Sequence, residues 1–469
     1  MERKWKVLAV TGVAVFMGFL DVTIVNVAFP DLERDFADAS RAELSWVLNA
    51  YNILFAALLV PAGRVADIVG RRRMFLVGVW TFLGASALCG VAGSVEMLVG
   101  ARMLQAVGGA ILVPTSLGLL LPEFPAHQRA TATAIWTATG AVAAALGPSL
   151  GGVLVDWGGW RWAFFVNLPI GLVALVPARR LLREIREGAG ARLPDALGTL
   201  LLGAGVGLVA LGIVEGADWG WGSARVVGAL AVGLALLPLA VWRSARHPSP
   251  VIELGLFRVR SFAVANAGMF TFSAAFYALL LANVLFTTEV WGWSILEAGV
   301  AITPAPATAA LTAPIAGLLA DRFGQRVVAV PGALLFAAGC LFLAGSMDAT
   351  PDYVSELLPG QLLTGSGVGF SFAAWGSAAV AGLPPARFAT GSAVLACLRQ
   401  VGAVLGIAVL VAVLDGASPA DPTGAFHDAW RLMAATAVVT AMLGLALGRV
   451  RALVPADAAA PTAALGRAA

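Results

Sequence analysis

Gly63-Arg64-Val65-Ala66-Asp67-Ile68-Val69-Gly70-Arg71-Arg72-Arg73 and Gly317-Leu318-Leu319-Ala320-Asp321-Arg322-Phe323-Gly324-Gln325-Arg326 place glycine, aspartate, glycine and a basic residue at matching positions, 254 residues apart. Each stretch follows one apolar run and precedes another. Chance is a poor source for that agreement, so the chain is read as a doubled unit. A plain doubling of six membrane spans, at about 30 residues per span and connection, would give an offset near 180 to 200. The surplus amounts to about two helices.

The 469 residues are 59% hydrophobic and 12% charged, against roughly 25% charged in an ordinary soluble domain. Water-soluble chains of this length need more charge to cover their surface, and disordered chains have fewer apolar residues. A soluble enzyme is therefore excluded, and a mean hydropathy of +0.88 points to a bilayer protein. Apolar runs read as 14 spans, near 7–30, 45–62, 74–93, 97–121, 130–155, 161–178, 196–214, 224–242, 261–287, 295–319, 327–346, 354–381, 388–414 and 430–448. A missed or invented span would scramble the alternation of basic residues between loops. With a cytoplasmic N-terminus, inner segments hold 23 of the 30 lysines and arginines while outer loops hold 5, so the count stands. The carboxylates lean the other way, with Asp21 alone deep in a span. Both termini are expected in the cytoplasm, and the membrane is expected to be the plasma membrane.

Cys89, Cys340 and Cys397 are scattered through apolar runs, and His127, His247 and His427 lie in polar connections. Neither a disulfide framework nor a metal site is expected from them. The lysines, Lys4 and Lys6, both precede the first span, which leaves no Walker A loop and no direct use of ATP. No cofactor, nucleic acid or enzymatic activity is expected.

The two surplus helices fit the pair at 196–242, after an Arg-rich connection from Arg179 to Arg192. The expected organisation is an N-terminal six-helix bundle (1–178), a linker with two inserted transmembrane helices (179–260), a C-terminal six-helix bundle (261–450) and a disordered cytoplasmic tail (451–469). This is the parallel-repeat arrangement of a two-halved transporter. A second echo supports it: Arg102-x-x-Gln105-x-x-Gly108 in the fourth span parallels Gln361-x-x-Thr364-x-x-Gly367 in the twelfth. The second copy lacks the cation, which assigns coupling chemistry mainly to the first half.

Four stretches resemble the major facilitator superfamily, and in particular its fourteen-helix drug/proton antiporters. They are Leu20-Asp21-Val22-Thr23-Ile24-Val25-Asn26-Val27-Ala28-Phe29-Pro30 in span one, the Gly63 to Arg73 loop, Gly140 with Gly147-Pro148-x-x-Gly151-Gly152 in span five, and Gly159-Trp160-Arg161 through Asn167 to Gly171 opening span six. The similarity extends over essentially residues 7 to 450. One departure is Ala106, where the fourth-helix motif usually has glycine. The resemblance implies an all-α membrane protein of the major facilitator fold, two six-helix bundles plus two inserted transmembrane helices. It also implies a part for Arg102 in proton coupling, and it implies that Gly140, Gly147, Pro148, Gly151 and Gly152 help set exchange direction.

Residue chemistry adds its own expectations. Asp21 lies about 14 residues into its helix, a little outward of the midplane at about 1.5 Å per residue. Desolvation there favours the neutral acid, so proton uptake and release become feasible; the plainer reading is a structural hydrogen bond between helices. Arg102 stays charged and must face a cavity, a carboxylate or carbonyls, either tuning Asp21 or pairing structurally. Arg399 either acts or sits near the cytoplasmic end and snorkels. Gly63, Asp67, Gly70, Arg71, Arg72, Asp321 and Arg322 read as a cytoplasmic gate, with Arg71 to Arg73 pairing across the halves or simply fixing topology. Glycine and proline in span five give a bend or a close helix contact. Asn26, Asn49, Tyr51, Gln105, Trp136, Asn167, Asn266, Tyr277, Asn283 and Trp375 are candidates for the lining of a central substrate cavity.

With one deep acid, the favoured cargo is a lipophilic neutral or cationic molecule. The expected function is proton-coupled export of drugs or antibiotics by a monomer working by alternating access, with protons, the substrate and membrane lipid as its partners. A lipid transporter on the same scaffold and a non-transporting membrane sensor are the rival readings.

Overall fold

The computed structural model describes residues 2–125, 128–186, 194–383, 387–415 and 423–447. Among these the regular structure is helical, with no strand. Apolar runs of this length leave no alternative, because backbone N–H and C=O groups in hydrocarbon must be satisfied within their own segment. The long helices are α1 (Arg3–Asp35), α2 (Arg41–Val69), α3 (Arg71–Gly90), α4 (Val95–Leu120), α5 (Arg129–Gly158), α6 (Trp162–Phe165 and Asn167–Leu181), α7 (Ala196–Val214), α8 (Ala224–Arg246), α9 (Arg260–Leu285), α10 (Ile295–Ile302 and Pro304–Phe323), α11 (Arg326–Ser346), α12 (Leu358–Ala381), α13 (Phe388–Asp415) and α14 (Gly424–Leu445). Among the described residues, 12 helices are long and apolar enough to cross a membrane. The other two, α5 and α12, have 30 and 24 residues.

Several helices run past the apolar stretch that marks them, α1 as far as Asp35 and α2 as far as Val69, because the hydrogen-bond ladder continues where water solvates the side chains. Polar caps start them. Ser40 and Ser294 form capping boxes with Glu43 and Glu297, satisfying backbone donors that the first turn leaves free. The tail at 451–469 lies outside the described residues.

The halves pack on one plan. In the first, α1 lies against α4, α5 and α6, α2 against α4, and α3 against α4 and α6; in the second, α9 lies against α12, α13 and α14, α10 against α12, and α11 against α12 and α14. Small residues set the closest approaches. A Cβ on Gly108 would stand 2.6 Å from the Phe82 backbone nitrogen, and a Cβ on Gly367 would stand 2.5 Å from that of Phe336. Both pairs match under the sequence repeat. Between the halves, α2 packs on α13 and α5 on α10. The inserted helices α7 and α8 pack on each other, and α7 leans on both α2 and α13. At the start of α7, buried Asp195 bonds Arg243 of α8 at 2.8 Å. Burial opposes its charge, but the Gly198 N–H and the Arg243 guanidinium outweigh that and hold its carboxyl below the usual range.

Hydrogen bonds between the halves lie midway or toward the face where α1 ends. Arg41 bonds Glu33 of α1 at 2.8 Å and Glu289 beyond α9 at 2.6 Å. Ser149 and Thr303 share a hydroxyl contact at 2.5 Å, and Gln400 donates to Asn52 at 3.1 Å. Near this face Asp31, Glu33, Asp156, Glu289 and Glu297 border a cleft of about 720 Å³. Among the described residues, no hydrogen bond or ion pair joins the halves at the face where α1 begins.

Candidate functional site

The charges inside the first bundle find each other. Asp21 of α1 is 0% exposed and Arg102 of α4 is 1% exposed. Three donors converge on the Asp21 carboxylate. Arg102 Nη1 lies 2.5 Å from Oδ2, while Gln105 Nε2 and Asn167 Nδ2 lie 2.7 and 3.0 Å from Oδ1. Arg102 and Gln105 share one face of α4 because residues three apart do so on any helix. Asn167 opens the second segment of α6, just past the break at Val166.

A second ring of contacts holds the donors. Arg102 donates through Nε to the Val47 carbonyl of α2 at 3.0 Å, and through Nη1 to Gln105 Oε1 at 2.5 Å. Its guanidinium lies 4.1 Å over the Tyr51 ring, a placement that favours a cation in a dry site. Ser86 of α3 accepts from Gln105 at 2.8 Å and from Asn167 at 3.4 Å. Five helices, α1, α2, α3, α4 and α6, therefore meet at one carboxylate.

This arrangement has a chemical consequence. An ionised carboxylate only accepts, and every partner of Asp21 donates; protonation would remove the negative charge that the buried Arg102 guanidinium faces.

The chain matches the sequence profile described as Major Facilitator Superfamily twice, over residues 11–276 and 264–467. It belongs to that superfamily. It is a multi-pass membrane transporter and not an enzyme. Over 411 residues it is 37% identical to the multidrug resistance protein Stp of Mycobacterium tuberculosis, covering 87% of this chain and 75% of that protein. Over 425 residues it is 35% identical to the puromycin resistance protein pur8 of Streptomyces alboniger, covering 89% and 83%. Its fold resembles a bacterial homologue of the human lysosomal transporter Spinster with a TM-score of 0.69 at 18% identity, over 97% of this chain and 100% of that one.

The superfamily loop after α2 is organised within the first half. Asp67 binds Arg71 Nε at 2.7 Å, and Arg71 also donates to the Gly118 carbonyl at 3.0 Å. Arg72 donates to the Arg179 carbonyl at 2.7 Å. Pairing of Arg71 and Arg72 across the halves, one of the two readings of the sequence, is not what this structure holds. Gly70 turns at φ +122°, where an L side chain is strained. A Cβ there would also stand 2.5 Å from the Glu184 carboxylate. Glu184 accepts from the N–H groups of Arg72 and Arg73 at 3.0 and 3.2 Å, stabilising the positive end of α3. A Cβ on Gly63 would stand 3.3 Å from Pro114. Arg322 lies over the Phe323 ring, and the side chain of Asp321 lies outside the described residues.

The glycines of α5 face two ways. A Cβ on Gly140 would stand 3.0 Å from the Phe19 ring and one on Gly151 3.3 Å from the Ile24 backbone, while Gly147 abuts Thr23, all on α1. A Cβ on Gly152 would stand 3.0 Å from the Leu296 backbone, and the Pro148 carbonyl faces Gly299, both on α10. The pattern thus lets one helix touch both halves closely.

Of the candidate cavity residues, Gln105, Asn167 and Tyr51 belong to the buried network. Asn26 bonds the Val22 carbonyl and Asn266 the Phe262 carbonyl of their own helices, while Asn49 reaches Ser45. Asn283 accepts from Trp430, Trp375 packs against Gly268, and Tyr277 stacks edge-on with Phe276. Half-buried Trp136 donates to Ser116 at 3.2 Å. Ser86 and Glu184 were missed; a hydroxyl in an apolar run and one acid in a basic linker carry no pattern that points to a partner.

Proposed function

We propose that this transporter exports lipophilic drugs or antibiotics in exchange for protons. Two halves, 1–178 and 261–450, rock about a cavity between them, with the inserted pair in 179–260 at one seam and 14 spans in all. The observation behind this reading is the buried Asp21–Arg102 pair with its amide shell, since an intramembrane acid whose protonation takes the counter-charge from a buried guanidinium is a means of linking proton uptake to shape. The names of the multidrug and puromycin resistance relatives support the cargo class.

The basic-residue distribution supports cytoplasmic termini in a plasma membrane, and the protein works as a monomer. With that orientation, the Arg41–Glu289 pair and the α5–α10 contact close the outer face, so this shape opens inward. The Asp67–Arg71 loop then lies at the open end, braced on its own half and free to meet α10 and α11 when that end closes. Protonation of Asp21 from outside frees Arg102 and biases the return.

Inverted membrane vesicles with an imposed proton gradient test this. Asp21→Asn keeps the size of the side chain and one acceptor oxygen but binds no exchangeable proton, so gradient-driven drug uptake into the vesicles is expected to vanish while the protein stays folded. Unchanged uptake would remove Asp21 from the coupling mechanism.

A further inference from the structure

Among the described residues, the intramembrane charge of Arg399 is paired with no carboxylate. Arg399 is the twelfth of 28 residues in α13, about 16 Å along the helix from its start at a rise of about 1.5 Å per residue. Its guanidinium lies 5.4 Å over the ring of Phe19, the seventeenth of the 33 residues of α1. Arg399 thus stands level with the middle of the first helix, too deep to be a snorkelling end residue. Its Nε is buried without a hydrogen-bond partner, and among the described residues no carboxylate pairs with it. Asp21, two residues from Phe19, is sealed on the other side of α1 by Arg102, Gln105 and Asn167.

The setting is the meeting line of the two halves. The Phe19 ring is half-buried and packs on Gly140 of α5. Next to Arg399, Gln400 bonds Asn52 of α2, so α1, α2, α5 and α13 converge here. A guanidinium at this depth, held against an aromatic face and lacking an anion, offers several N–H donors in a rigid fork that fits an oxyanion.

We infer that Arg399 recognises an acidic group on the cargo, with Phe19 receiving the aromatic body beside it. The favoured substrate is a lipophilic aromatic anion bearing a carboxylate, sulfonate or phenolate. This deepens the export reading and rests on it for the word cargo. The expectation of neutral or cationic molecules came from counting one deep acid, and the structure commits that acid to Arg102.

The test uses two fluorescent probes with one skeleton, 8-anilinonaphthalene-1-sulfonate and neutral N-phenyl-1-naphthylamine, binding to the full chain in phosphatidylcholine nanodiscs. Loss of a charge-assisted contact predicts that Arg399→Gln weakens sulfonate binding by about 10- to 100-fold and leaves the neutral probe within about twofold. Arg399→Lys keeps the charge and should recover part of the affinity, which covers the case in which the glutamine variant does not fold. Equal weakening of both probes, or of neither, overturns the inference. Phosphatidylglycerol that displaces the sulfonate from the unsubstituted protein alone would assign the same oxyanion contact to a lipid headgroup and overturn its assignment to a drug. Gradient-driven movement of the neutral probe separates the two readings. If it moves while sulfonate binding ignores Arg399, export stands and this inference falls; if no probe moves but sulfonate binding follows Arg399, export falls and the site stands.

Discussion

In the first bundle α4 meets α3 where Gly108 approaches the Phe82 backbone, and in the second α12 meets α11 where Gly367 approaches Phe336. One turn before each glycine the contents differ. The first bundle places Gln105 on Ser86 and Asp21. The second places Thr364 on its own helix's Gly360 carbonyl, with Cys340 where the repeat puts Ser86. Arg102 donates to Val47, Asp21 and Gln105, whereas Gln361 at the matching position is buried with its Nε2 unbonded. Aromatic packing fills the second bundle, with Phe272 edge-on to both Phe336 and Phe372. Duplication kept the contacts that set helix spacing and let the polar filling diverge. Proton chemistry is therefore expected in one half and shape in both.

The widest separation between the halves should come from Arg102. Replacing it by alanine strands the Asp21 carboxylate and should cost about 3–5 kcal/mol, measured as thermal unfolding in detergent. Adding Asp21→Asn to the same chain should recover most of that loss. Gln361→Ala should cost about 1 kcal/mol or less, and equal losses at the two positions would end the comparison. Next come the glycines: Gly108→Val and Gly367→Val both press a side chain on backbone and should each cost about 1–3 kcal/mol, with closely similar values if the packing plan is shared. Smallest is Ser86→Cys, which copies the second bundle into the first and should cost about 1 kcal/mol while slowing gradient-driven efflux. Cys340→Ser should leave efflux unchanged.

The helices were legible because hydrocarbon forces long apolar runs to form them, and the doubling because Asp67 and Asp321 stand in one pattern. Asp21 and Arg102 were visible as charges where charge is costly. Their convergence was not fully visible, because a linear pattern does not say which face of α6 brings Asn167 to α1, or that Ser86 lies beneath Gln105. Asn283 shows what polarity leaves out: it suggested a cavity residue but not that Trp430 would donate to its Oδ1. Arg399 was open between two readings until α1 supplied a depth scale in Phe19.

Because α7 leans on both α2 and α13, so closely that a Cβ on Gly203 would stand 3.3 Å from Ala57, the two lines along which the halves meet are not equivalent. One is shuttered by an extra helix pair. The other, between α5 and α10, carries no such pair among the described residues, and Leu311 and Leu318 of α10 are exposed. A hydrophobic molecule dissolved in the leaflet is therefore expected to reach the second line more readily than the first, a one-sidedness that the near-twofold repetition of the helices does not impose.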